Sequence, residues 1–347
     1  MASLGGVEYR KLQLTGGSTF IVSLPKAWIR ANNLNPSDVV SVEHMASGEI
    51  QISPHEIKET RRSVTIDLAK YPEGALYDCL IGAYVSGADV IQVKARQGLK
   101  SKDRRVIRQF LRDTRGMEVS DDDAKHMTIV SLLNPNELPL QVSLNRMYLL
   151  VTSLVEDTLS VLDGEDEEAI TDYEDRERQI DARRLLIDRQ VAMVLQNHHV
   201  ERDIGLSRYS AMEHSVMAHY LERMGDHAHT FARLVLETDV VGSLSLDEDP
   251  LSVFPVWLSA LRAIVRNTYT KEISVLTEGK DQLAQAIQTL SEHEERLMST
   301  SNQRTDLLIE FRISETARRL CGYSIDMTET LINMLLAGRT EMDFKEA

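Results

Sequence analysis

Cysteine is almost missing from this chain: Cys79 and Cys321 are the only two in 347 residues. Neither sits in a spacing that would hold zinc or build a disulfide framework, so a reducing compartment is expected. Long apolar runs are missing too. None reaches the roughly 18 residues of a membrane span, and the richest stretch, Leu251 to Val265, is broken by Pro255 and Arg262. The N-terminus has no charged-then-apolar leader, so a cytoplasmic protein without membrane insertion is expected. No serine stands in a nucleophile elbow and no glycine fingerprint follows a strand. Gly98-Leu99-Lys100-Ser101 lacks the glycine spacing of a phosphate-binding loop. No catalytic constellation emerges, and the chain reads as a non-enzyme.

What is present is a globular composition with an uneven charge. Apolar residues make up 42%, ample for buried cores, and the length allows two or three domains. The net charge is −15. Residues 1–130 carry 18 Lys/Arg against 16 Asp/Glu, whereas residues 131–347 carry 21 against 38. A near-neutral head on an acidic body predicts different partners for the two parts.

The pattern divides into a small β-rich head, a small α/β domain and an all-α body. In the head, residues 1–53, strands are expected at Arg10–Leu14, Thr19–Leu24, Val39–Val42 and Glu49–Ile52. Gly16-Gly17 and Asn35-Pro36-Ser37-Asp38 supply turns, and Pro25 opens a short helix to Asn32. Residues 54–133 alternate strand Ser63–Leu68, helix Glu73–Ser86, strand Asp89–Lys94, helix Ser101–Arg112 and two strands near Glu118 and Met127–Leu132. Two three-helix units then follow at 139–239 and 250–337, separated by Thr238 to Pro250. Their helices are expected at 139–162, 172–198 and 206–237, then 251–277, 280–299 and 302–336. The two units form a weak repeat of roughly 100 residues.

The most informative segment is Leu221 to Val235. Met217, Leu221, Met224, Ala228, Phe231 and Val235 form the stripe of a buried helix face. At about 100° per residue, Glu222 and Asp226 share the side away from that stripe, and at i,i+4 their charges repel. A second helix, with Tyr173, Ile180, Ile187 and Val191 as its stripe, carries Glu177 and Asp181 beside Glu174 and Asp188. If the two pairs converge, four carboxylates meet and would suit Mg²⁺, Mn²⁺ or iron. On the wheel His219 and His229 project toward the Glu222/Asp226 face and could add nitrogen ligands, whereas His227 points away. The competing reading is a solvated acidic face, common in so acidic a chain.

Leu221 to Val235 resembles the repeated motif of the PhoU phosphate-uptake regulator family, and Glu177-Arg178-Gln179-Ile180-Asp181 resembles its partner motif. The resemblance covers about residues 139–337. It implies tandem three-helix bundles whose acidic motifs bind metal, with Glu177, Asp181, Glu222 and Asp226 as ligands of a divalent metal or iron cluster. The second unit departs from the pattern. Aligning Met224-Gly225-Asp226 with Leu320-Cys321-Gly322 puts Arg318 at the place of Glu222 and Gly322 at that of Asp226. Its other helix offers Glu295 and Ser299, so a metal is expected only in the first unit.

Arg10 to Trp28 resembles the swapped-hairpin DNA-binding domain of the AbrB, SpoVT and MazE-antitoxin group. That resemblance implies interleaved strands from two chains and a basic, glycine-containing loop facing DNA. A head of about 45 residues builds a poor core alone, which fits dimerisation by strand exchange. Arg10, Lys11, Gly17, Ser18 and Lys26 are the expected DNA contacts, although residues 1–53 hold four Lys/Arg against four Asp/Glu. In the middle domain, Arg61-Arg62 and Lys102 to Arg108 either extend a phosphate-contacting surface or form a polar helix face.

Together these features predict a dimeric transcriptional regulator linked to phosphate uptake, its head on DNA and its helical body sensing metal or a partner. One alternative is an adaptor that modulates phosphate-transporter subunits or a sensor kinase without binding DNA. Another is a metal-storage protein or metal-dependent enzyme, which would need inward-facing carboxylates and Glu-x-x-His spacing.

Overall fold

The computed structural model describes residues 7–45, 48–54, 61–133, 139–238, 244–299 and 305–339. Of the segments named above, 55–60, 239–243 and 302–304 lie outside the described residues. The chain forms two compact units, one spanning Met1–Thr60 with Glu341–Ala347 and one spanning Arg61–Thr340.

In the first unit, β1 (Gln13–Thr15) and β2 (Thr19–Ile21) pair antiparallel, with Leu14 opposite Phe20. Their turn runs through Gly16 and Gly17, both left-handed with φ of 64° and 83°, a region open to glycine at little cost. Helix α1 (Lys26–Ala31) follows Pro25, and β3 (Val40–His44) pairs antiparallel with β4 (Ile50–Pro54). No apolar side chain among the described residues of this unit is buried: Tyr9 is 94% exposed, Phe20 67% and Leu14 59%. Two short hairpins and one turn and a half of helix cannot enclose them.

The second unit opens with a four-stranded sheet. Its strands are β5 (Ser63–Asp67), β6 (Val90–Lys94), β7 (Met117–Asp122) and β8 (His126–Ser131), in the order β5-β6-β8-β7. The β5–β6 pair is parallel, joined through helix α2 (Leu76–Val85), and the other pairs are antiparallel. Helix α3 (Ser101–Asp113) follows β6. Alternate strand residues Ile91, Val93, Met127 and Ile129 are buried with Leu80, Tyr84, Ile107 and Phe110 of the two helices.

Among the described residues, the body has seven α-helices: α4 (Leu140–Leu162), α5 (Tyr173–Gln196), α6 (His198–Ile204), α7 (Arg208–Glu237), α8 (Val253–Thr270), α9 (Ile273–Ser299) and α10 (Thr305–Ala337). Helix α7 packs on α4, α5 and α10, so the two three-helix groups share one continuous core. Phe231 stacks on Phe254 across the seam with ring centroids 4.3 Å apart. Trp257 donates its indole N–H to the Leu320 carbonyl at 3.1 Å and the Ser324 hydroxyl at 2.9 Å.

Two details differ from the sequence reading. Residues 198–204 form the separate helix α6, because the Asn197 side chain caps its first turn and Gly205, at φ 72°, ends it. The break after α8 falls at Lys271, not near residue 278. There the buried Asn267 amide brackets the turn, donating to the Glu272 carbonyl and accepting from its N–H.

Candidate functional site: carboxylates between two helices, and a basic hairpin

The site in the body arises from a close helix contact. Gly225 has no side chain, and its backbone rests against Ile180: an added Cβ would lie 2.9 Å from Ile180 Cδ1. Asp181 follows Ile180 directly, while Glu222 and Asp226 flank Gly225 on α7, so the glycine contact sets all three side by side. One carboxylate oxygen from each of Asp181, Glu222 and Asp226 lies within 4.8 Å of the others. That span matches ligand oxygens placed across a single hard cation, at about 2.0–2.6 Å from it.

The environment is costly for negative charge. The Asp181 carboxyl is pushed up to about 7, by burial first and then by Glu177, Glu222 and Asp226, with Arg184 opposing. Glu222 is also raised, by burial and then by Asp226, against Arg223, Arg184 and His219. Its Oε2 is buried and accepts no hydrogen bond. The nearest charge is the Arg223 guanidinium, with Nε 3.5 Å from that oxygen and Nη1 3.2 Å from Asp226 Oδ2. Arg184 Nε stands 4.0 Å from Glu222 Oε1. An all-oxygen donor set with a buried, unbonded acceptor fits a hard divalent cation.

Several sequence expectations change here. Glu222 and Asp226 do not face open solvent: the wheel identifies the side away from the α7 core stripe, but α5 covers that side and leaves both half-buried. Glu177 stays outside the tight group and acts on Asp181 through charge alone. Asp188 is taken by other partners, bonded by Arg184 at 2.7 Å and the Ser215 hydroxyl at 2.6 Å. His219 Nε2 lies 3.6 Å from Asp188 rather than among the three carboxylates. His229 packs on the Tyr173 ring at 4.8 Å, so neither histidine joins the group. His227 turns toward Tyr323 of α10. Arg184, Arg223 and Gly225 were not singled out in the sequence. Only the glycine carried a signal, since an interior helix glycine costs about 1 kcal/mol and commonly marks close packing.

In the second three-helix group, Arg318 of α10 faces α9. It binds Glu294 at 2.6 Å and the Ser291 hydroxyl at 3.1 Å, while Ser314 also donates to Glu294. The residue that the sequence alignment pairs with Glu222 is thus a guanidinium tethered to α9. Its partner is Glu294 and not Glu295, which is exposed.

In the head, Lys11, Gly17, Ser18 and Lys26 are all exposed, and the space around both turn glycines is open. Arg10 is exposed but paired with Glu8. In the middle domain the basic run of α3 is partly consumed locally, Lys102 by Glu73 and Arg104 by Asp122 and the Asp123 carbonyl.

Residues 144–235 match the family model of the PhoU domain. All four carboxylates named from the sequence fall inside that match. Residues 13–60 match the model described as antidote-toxin recognition MazE, bacterial antitoxin. The two resemblances read from Leu221–Val235 and Arg10–Trp28 are therefore both borne out, each over part of the chain. Among solved structures, the phosphate transport system regulatory protein PhoU from Streptococcus pneumoniae aligns with 59% of this chain and 96% of its own, at 20% identity and a TM-score of 0.45. No curated protein matches. Among the described residues, no helix is long and apolar enough to cross a membrane.

Proposed function

We propose that this protein is a dimeric DNA-binding regulator linked to phosphate uptake, whose helical body senses a divalent cation or a partner protein. The observation that carries the reading is the head: an exposed Gly16-Gly17-Ser18 turn flanked by Lys11 and Lys26, on a unit that leaves Leu12, Leu14, Phe20 and Ile21 exposed and, among the described residues, buries no apolar side chain fully. A second copy would cover Leu14, Phe20 and their neighbours and place two such turns on one surface. Glycine at the turn admits a phosphate close to the backbone, and the lysines supply the charge.

In the body, Asp181, Glu222 and Asp226 would hold the cation. When bound, it would supply positive charge to three carboxylates that otherwise repel across α5 and α7. Arg223, now the nearest charge, would have to swing away, and Arg184 would retain Asp188. Such a change alters how tightly α5 and α7 associate. Because α5 also carries Arg189, which binds the middle domain, the change has a route beyond the bundle.

The test is a binding titration of the intact chain on genomic fragments upstream of phosphate-transport genes. Selective, salt-sensitive binding that Lys11→Ala weakens supports the regulator. Absence of selective binding, together with recovery of transporter subunits or a sensor kinase in a pull-down, would replace it with the adaptor reading.

A further inference from the structure

At the end of the body away from the carboxylates, α7 begins beside a cavity of about 900 Å³. It is bounded by the start of α4, by α6, by the end of α8 and by the last turns of α10. We propose that this cavity binds a small amphipathic carboxylate, its apolar body against the floor and its charged head beside Lys271 and Arg339.

The floor is apolar: Leu140, Met217 and Leu331 are buried side chains that line it, with Met334 and Leu335 half-buried beside them. The volume is within the range of pockets that enclose small organic ligands. The rim is cationic. Lys271 and Arg339 both line it, and neither forms an ion pair among the described residues. Asp203 is the one acid of the lining, and Arg202 stands 3.9 Å from it. Lys271 is held there by its own left-handed backbone, φ 58°, which closes α8.

His214 is the polar feature of the wall and is only 4% exposed. Its Nδ1 lies 2.7 Å from the Ser210 carbonyl one turn back on α7, which fixes that nitrogen as the donor. The opposite edge of the ring, carrying Nε2 as an acceptor, is left for the cavity. Burial lowers the tendency of this histidine to protonate. It therefore offers an acceptor rather than a third cation, suited to a hydroxyl on the ligand body. Ser207, the cap of α7, accepts from the Ser210 N–H, so its own O–H remains to donate toward a carboxylate. The pattern differs from the oxygen-only group of Asp181, Glu222 and Asp226: it selects an organic anion, not a cation.

The test uses the full chain and decanoate as probe, followed by isothermal titration calorimetry. One saturable site is expected, with acetate and decanol each binding at least about tenfold more weakly. The double variant Lys271→Gln/Arg339→Gln changes exposed residues and leaves the core intact; its affinity for decanoate should fall about tenfold. The 3-hydroxy derivative should bind several-fold tighter than decanoate, and His214→Gln should remove that difference. No saturable decanoate binding, or equal binding by the double variant, would overturn the proposal. Acetate binding as tightly as decanoate would do the same. This readout does not depend on DNA or on divalent cations, so it can fail while the regulator reading stands, and the reverse.

Discussion

Gly225 of α7 presses its backbone against Ile180 of α5, leaving 2.9 Å between an added Cβ and Ile180 Cδ1. Alanine at 225 gains about 1 kcal/mol of helix propensity and loses a similar amount to overpacking, so Gly225→Ala should be close to neutral. Gly225→Val, bulkier and β-branched, should destabilise by about 2–3 kcal/mol. Ile180→Val should relieve part of that cost. A double-mutant cycle from urea unfolding reads the coupling directly; strictly additive effects would mean the two helices do not meet here.

The carboxylate group gives the protein a pH dependence of definite sign. Asp181 titrates near 7 in the folded chain, above its ordinary value of 3.8, because burial and like charges favour the protonated form. The stability from this group is full below about pH 4 and is lost as pH rises toward 7 and beyond. Thermal unfolding across that range should show the decline, and Asp181→Asn should flatten it. Added Mn²⁺ should raise stability at pH 8 more than at pH 5, since protons and cation compete for the same oxygens.

Arg189 joins the body to the middle domain. From α5 its guanidinium donates to the carbonyls of Tyr84 at 2.9 Å and Ala88 at 2.8 Å, and it lies 5.1 Å from the Tyr84 ring centroid. Arg189→Met would take the guanidinium donor from the Ala88 carbonyl and leave the Tyr84 carbonyl with the Gly87 N–H alone, at a cost of about 1–3 kcal/mol. Hydrogen exchange should then show the sheet and α2 opening more readily than the distal helices α8 to α10.

The head predicts an assembly. With Leu14 and Phe20 exposed on paired strands, the intact chain should sediment as a dimer. Phe20→Asp or Leu14→Asp should yield monomers with a folded helical body. Monomeric intact protein at micromolar concentration would contradict strand exchange.

Much of this architecture was legible in the residues. Strand–helix alternation from Ser63 to Ser131 could be read because period-two and period-3.6 apolar spacing switch cleanly at Gly and Pro. The long stripe from Met217 to Phe231 likewise marked the buried face of α7. The carboxylates were legible as candidates but not as a site. A helical wheel separates the core stripe from the opposite side, and nothing local shows that α5 covers Glu222 and Asp226. The roles of Asp188, His219 and His229 depend on partners across the α5–α7 contact, Ser215 for Asp188, Asp188 for His219 and Tyr173 for His229. The turn at Lys271 was hidden because a left-handed lysine resembles any helical residue in sequence. What stabilises it is the buried Asn267 amide.

If the carboxylate group in the body controls the head, DNA affinity must depend on what occupies that group. The most direct measurement is fluorescence anisotropy of a labelled fragment from upstream of a phosphate-transport gene. Titrations would compare the intact chain with Asp181→Asn, Glu222→Gln and Lys11→Ala, with and without millimolar Mn²⁺. The expected result is an affinity that shifts by about fivefold or more with Mn²⁺ in the intact chain and stays fixed in the carboxylate variants. Lys11→Ala should weaken binding under both conditions and shallow its salt dependence. Selective binding that ignores Mn²⁺ in the intact chain, or no selective binding at all, would contradict that dependence.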